Sequence, residues 1–109
     1  MYYTYYEAVS QFGDKLPTRE QFAELQAFCT WTWNGKGYVV KGDNGNSIIL
    51  QAAGCRGCYS DADDVGTYGT YWSSTPYDSD DAWGLGFYSS GVGRSHYRRC
   101  SGRSVRLVL

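Results

Sequence analysis

The chain has 109 residues, 42% of them hydrophobic and 19% charged, with a formal net charge of −1. This is the size and balance of one globular domain, here expected to span 1–109, able to bury about 65% of its unfolded surface. So weak a field excludes nucleic acid and anionic membranes as electrostatic partners, and no apolar run approaches the roughly 20 residues that cross a bilayer, so no membrane insertion is expected. Met1–Thr4 lacks the basic and apolar regions of a secretory signal, and none is expected in this chain.

Two helix starts are explicit. Thr4 and Glu7 form a capping-box pattern, followed by Tyr5, Ala8, Val9 and Phe12 at helical spacing, with Gly13 as the stop. Thr18 and Gln21 repeat the pattern, with Phe22, Leu25, Phe28 and Cys29 as the expected buried face. Both helices are short and need a surface to pack on. From Thr30 the period changes to two. Trp31-Thr32-Trp33, Tyr38-Val39-Val40 and Ser47-Ile48-Ile49-Leu50 read as strands joined by turns at 34–37 and 42–46. A polar stretch from Gly54 to Thr70 has no clear period, but Tyr59 and Tyr68 within it argue for order. Tyr71–Ser74 reads as a short strand. In the next, Trp83, Leu85 and Phe87 face inward and Gly84, Gly86 and Tyr88 outward. A last strand is expected with Val105, Leu107 and Leu109 on one face. The fold class is α+β, two short helices packed on a mostly antiparallel sheet with long ordered loops.

Composition is uneven along the chain. Every Lys, Glu, Gln and Met lies at or before Gln51. An ordinary stretch as long as 52–109 holds roughly 8 to 10 of these types. Charge persists there, as Arg56, Arg94, Arg98, Arg99 and Arg103 and as Asp61, Asp63, Asp64, Asp78, Asp80 and Asp81. The genetic code offers a mechanism. A codon with any first two bases and a fixed third C encodes Tyr, Ser, Gly, Arg, Asp, His or Cys, among others, but never Lys, Glu, Gln, Met or Trp. Randomising the adenines of AAC codons leaves this signature, with Trp72 and Trp83 as fixed scaffold.

The segments Leu16-Pro17-Thr18-Arg19-Glu20, Cys29-Thr30-Trp31-Thr32-Trp33, Gly45-Asn46-Ser47-Ile48, Ala52-Ala53-Gly54, Tyr71-Trp72-Ser73-Ser74-Thr75 and Ser104-Val105-Arg106 carry a resemblance from about Thr4 to the end. The chain resembles the major-paralogous (FISUMP-type) domains of gut bacteria and their phages, which are similar to the variable proteins of diversity-generating retroelements. The resemblance implies a C-type-lectin-like fold and a 3′ gene end rewritten at adenines. It further implies a phage-virion or bacterial-surface location within a larger assembly, and a protein or cell-surface ligand. Where such domains read Leu-Pro-Ala-Ala-Gly-Tyr-Arg this chain has Leu50-Gln51-Ala52-Ala53-Gly54-Cys55-Arg56, so Cys55 reads as a varied position.

The variable display region is expected at about 55–103. Its ligand-binding candidates are Gly84, Gly86, Tyr88, Ser90, Gly91, Gly93, Ser95, His96, Tyr97, Arg99, Cys100, Ser101 and Arg103. Tyr and Arg dominate binding hot spots, so Tyr88, His96, Tyr97, Arg99 and Arg103 lead. Tyr59, Tyr68, Tyr77, Asp78, Asp80 and Asp81 form a second tier, and Val92, Gly102, Ser104, Val105 and Arg106 read as framework. Other chemistry is set aside. Cys55-Arg56-Gly57-Cys58 is one metal-type pair where a structural zinc shows two; free thiols are expected, with disulfides the alternative in an oxidising compartment. His96, the lone histidine, sits in a Gly/Ser/Arg-rich tract without a nucleophile elbow, so no enzyme is expected. The two Asp clusters lack the Gly and Glu of a calcium loop. No metal or cofactor is expected. The competing readings are a fixed calcium-dependent carbohydrate lectin and a non-diversified surface or pilus adhesin module.

Overall fold

The computed structural model describes residues 1–108. Helix α1 spans Tyr5–Phe12 and α2 spans Arg19–Phe28, with a single 3₁₀ turn at Gly13–Lys15 between them. Both capping boxes close. Thr4 Oγ1 accepts from the Glu7 amide at 3.1 Å while Glu7 accepts from the Thr4 amide at 2.9 Å, and Thr18 and Gln21 do the same at 3.1 and 2.8 Å. Gly13 ends α1 at φ 50°, its amide donating to the Val9 carbonyl. The apolar stripes are narrower than the spacing suggests. Tyr5, Ala8 and Phe22 are buried, but Val9 is exposed and Phe28 is 71% exposed. At 3.6 residues per turn Phe28 stands about 120° around the helix from Phe22, beyond the line that reaches the sheet.

Strands β1 (Thr30–Trp33), β2 (Gly37–Lys41) and β3 (Ser47–Gln51) form an antiparallel meander in that order. Its inner face carries Tyr38, Val40 and Leu50, flanked by Trp31, Trp33 and Ile48. Short strands β4 (Cys55–Arg56) and β5 (Ala62–Asp63) pair within the polar stretch. Strands β6 (Gly69–Pro76), β7 (Asp81–Tyr88) and β8 (Gly91–Arg98) form a second antiparallel meander. Only Tyr71–Ser74 of β6 reads as strand in the sequence, and 91–98 reads as a tract of display residues. The tract is a strand all the same. Val92 and Tyr97 are its only large apolar side chains, too few to write a period of two.

This second sheet is the middle of the molecule. One face bears Tyr71, Leu85 and Phe87, which pack with Phe22, Tyr38, Val40, Leu50 and Ala52 in the larger core. The other bears Trp72 and Ala82, which pack with Tyr5, Ala8 and Leu16 in a smaller one. The expected C-terminal strand is not formed. Ser104 pairs beside β6, with Trp72 N–H to Ser104 O and Ser104 N–H to Thr70 O both at 3.0 Å, but the chain then leaves so that Val108 N–H reaches Lys15 O at 2.8 Å. Val105 packs on the smaller core and Leu107 is exposed; Leu109 lies outside the described residues. No described helix is long and apolar enough to cross a membrane.

Candidate functional site

The β7–β8 hairpin turns through Ser89 and Ser90, with Tyr88 opposite Gly91. Residues directly opposite share a face, so Gly86, Tyr88, Gly91, Gly93, Ser95 and Tyr97 lie on one side. With Tyr68 and Ser90 they line a shallow groove of about 540 Å³. At its open end the Tyr68 and Tyr88 rings sit 4.8 Å apart, and Tyr88 is 51% exposed. Loss of hydration, and then the nearby Asp64 carboxylate, holds the Tyr88 phenol above its ordinary pKa.

The closed end is built differently. Tyr97 lies flat along β7, over Gly84 and Gly86, where a Cβ would collide with its ring or hydroxyl. Tyr68 donates to the Tyr97 hydroxyl at 3.2 Å, and the Arg103 guanidinium covers the Tyr97 ring at 3.8 Å. Burial, and then the hydroxyl–hydroxyl hydrogen bond it shares with Tyr68, pushes the Tyr97 phenol up. Arg103 is itself held by Ser101 Oγ at 3.0 Å and Thr70 Oγ1 at 3.2 Å. Two candidates therefore move inside. Gly84 is buried because it is the floor under Tyr97, and Ser101 is 4% exposed because its hydroxyl bonds Arg98 O at the end of β8.

The remaining candidates do not join this groove. His96 points to the opposite face of β8 from Tyr97, as alternation requires. There its Nδ1 lies 2.7 Å from Asp81 Oδ2, and its ring stacks on Tyr77 at 3.7 Å with the edge of Trp83 at 5.7 Å. Arg19 caps this cluster, its guanidinium 4.2 Å from the Trp83 ring, a role that its helix-start position did not signal. Asp78 Oδ1 accepts from the Asp80 and Asp81 amides at 2.9 and 2.7 Å, and these bonds hold its carboxyl below the usual range. Arg99 knits the same turn, its amide donating to Asp80 O and its guanidinium to the Asp81 and Asp78 carbonyls. The Asp cluster is thus turn chemistry. Among the described residues no three His, Cys, Asp or Glu side chains gather as a metal site.

Cys58 and Cys100 form a disulfide with Cα atoms 4.9 Å apart, which overturns the expectation of free thiols for this pair; Cys29 and Cys55 remain free. Cys100 is thus committed to a covalent tie between the β4–β5 loop and the turn after β8. Tyr59, beside Cys58, is fully exposed. The framework residues Gly102 and Ser104 are buried and Val92 and Val105 pack against the cores, but Arg106 is exposed. Sequence reasoning placed Tyr38 in a strand but missed its role at the site. From the other sheet its hydroxyl donates to the Tyr88 and Ser89 carbonyls at 3.0 and 3.1 Å, fixing the hairpin tip.

Fold and site together define a small α+β domain with an open, tyrosine-lined groove at a hairpin tip. The chain belongs to the family described as "Domain of unknown function (DUF8237)", whose model matches residues 31–108, from β1 through both sheets and without the helices. No curated protein and no solved structure matches it.

Proposed function

We propose that this is a non-enzymatic ligand-binding domain of C-type-lectin-like fold that presents the Tyr68–Tyr88 groove to a protein or cell-surface ligand, with outward residues of the hairpin diversified by a retroelement. The observation that carries this reading is the pair Gly91 and Gly93. A Cβ at either would meet nothing within 4 Å, and neither has a positive φ. A glycine inside a strand weakens it by about 0.5–1 kcal/mol relative to alanine. The fold does not ask for glycine at either position, so something other than stability selects it. Free variation, or a ligand that needs the space, does so. The exposed Tyr, Ser and Gly of the groove match the composition of adaptable paratopes, in which tyrosine gives contact area at low entropy cost. The disulfide fits a particle surface or extracellular location.

A second reading, the fixed adhesin module, draws on one observation. Asn, which an unaltered AAC codon encodes, is also absent from 52–109. Alleles of the gene, with a search beside it for an adenine-marked donor copy and a reverse transcriptase, separate the two. Diversification predicts substitutions at Tyr88, Ser90, Gly91, Gly93 and Ser95 and none at Trp72, Leu85 or Phe87. Changes spread evenly over both sets, without a donor copy, reject it and leave the fixed module.

A further inference from the structure

β8 is the edge of its sheet, and its outer rim is only partly used. The two-residue turn makes Tyr88 and Gly91 a hydrogen-bonded pair, and pairing alternates from there. The backbone groups of Gly93, Ser95 and Tyr97 therefore point to β7, and those of Arg94 and His96 point away. The rim is closed at one end by Gln26, whose side chain donates to Val92 O at 3.3 Å, and at the other by Ser101 N–H on Arg98 O at 3.0 Å. Between these, among the described residues, the N–H and C=O groups of Arg94 and His96 have no outward partner.

We infer that this rim takes an extended acidic peptide as an added strand, one face of which lies in the tyrosine groove. The inference rests on the binding reading above only for the groove side. Strand addition supplies main-chain bonds, and the flanking side chains set the sequence. On one face the added strand runs beside Arg94, His96 and Arg98. Arg94 has no carboxylate partner among the described residues, and Arg98 reaches Asp81 only at 3.9 Å. Acidic residues complete this face. On the other face it runs beside Gly93, which has open space above it, and the small Ser95, and this leaves room for bulky aromatic groups against Tyr97. The ligand is therefore a protein segment alternating acidic with aromatic residues. A second copy of this chain is the wrong occupant, because pairing β8 with itself sets cations beside cations, a device that commonly protects edges.

The test uses the full chain and a blocked peptide of alternating glutamate and tyrosine, about nine residues long to span β8. Expected results are slowing of amide exchange at Arg94 and His96 by about tenfold or more on saturation, and weakening of binding by about tenfold in the double variant Arg94→Glu/Arg98→Glu. N-methylating the glutamates in one peptide and the tyrosines in another gives the decisive contrast, since only one set of amides faces the rim. One version loses binding and the other keeps it. No binding by the parent peptide, equal binding by both methylated versions, or unchanged exchange at Arg94 and His96 overturns the proposal. A ligand that engages Tyr68 and Tyr88 while that exchange stays unchanged sinks the added strand and leaves the groove reading intact.

Discussion

Two pairs of glycines share one face of the β7–β8 hairpin and are there for opposite reasons. Gly84 and Gly86 are required, because the Tyr71 carbonyl and the Tyr97 ring crowd the first and the Tyr97 hydroxyl lies where the side chain of the second would be. Gly91, nearer the tip, and Gly93, directly opposite Gly86, have open space above them. The closed end is a built object, held by Arg103, by the Tyr68 bond and by the disulfide just beyond β8. The open end is held by its ladder, the Tyr38 hydroxyl, and Val92, which packs on the larger core and accepts from Gln26. Identical residues in one strand pair thus mark scaffold on β7 and display on β8, and only the neighbouring atoms tell them apart.

The largest expected effect removes an anchor of the closed end. Cys100→Ser opens a covalent loop of sequence separation 42 and is expected to cost about 4 kcal/mol in the chain-entropy account, read as a fall in urea midpoint. An unchanged midpoint against the unreduced parent would show that the tie contributes nothing. Next comes Gly86→Ala, which forces a methyl into Tyr97 and is expected to lose about 2–3 kcal/mol. In the background of Tyr97→Ala the same substitution is expected to lose much less, and a double-mutant cycle without coupling would break the account of the floor. Gly93→Ala should do the reverse and stabilise by about 0.5–1 kcal/mol in the same assay, so a loss of that size would mean the open end is not open.

The smallest effect lies at the turn. The amide bonds of Asp80 and Asp81 depress the Asp78 pKa in the folded state, so its contribution is complete above the ordinary aspartate value of 3.8. It is lost as pH falls through the lower, folded value. The stability difference between parent and Asp78→Ala is therefore expected at neutral pH and expected to shrink in acid. A difference that grows in acid contradicts the assignment.

The helices were legible in the sequence because caps are local: Thr4 with Glu7 and Thr18 with Gln21 need no knowledge of the rest. The β1–β3 meander was legible for a similar reason, since Val, Ile and Trp alternate against turn residues. β8 was not, because its register is set by pairing with β7 and by the covering of its faces, not by its own side chains. The candidate site was half legible. Tyr88, Gly91, Gly93, Ser95 and Tyr97 do share a face with Tyr68 beside it. His96 and Arg99 belong to the turn cluster instead, and nothing in a tract of Gly, Ser and Arg announces which residue of a neighbouring pair bends to which side. The role of Gly84 was hidden for a further reason, since the groups that fill its space are a carbonyl of the neighbouring strand, at Tyr71, and the ring of a tyrosine thirteen residues later.

The grip of Tyr38 has a broader consequence. A phenol from the other sheet, fixed among Trp31, Trp33 and Phe87, holds the hairpin tip by two main-chain oxygens. Every amino acid carries such an oxygen. The latch is therefore blind to which side chains occupy positions 88 and 89, and the outward chemistry there can be rewritten without loosening what fastens the tip to the body.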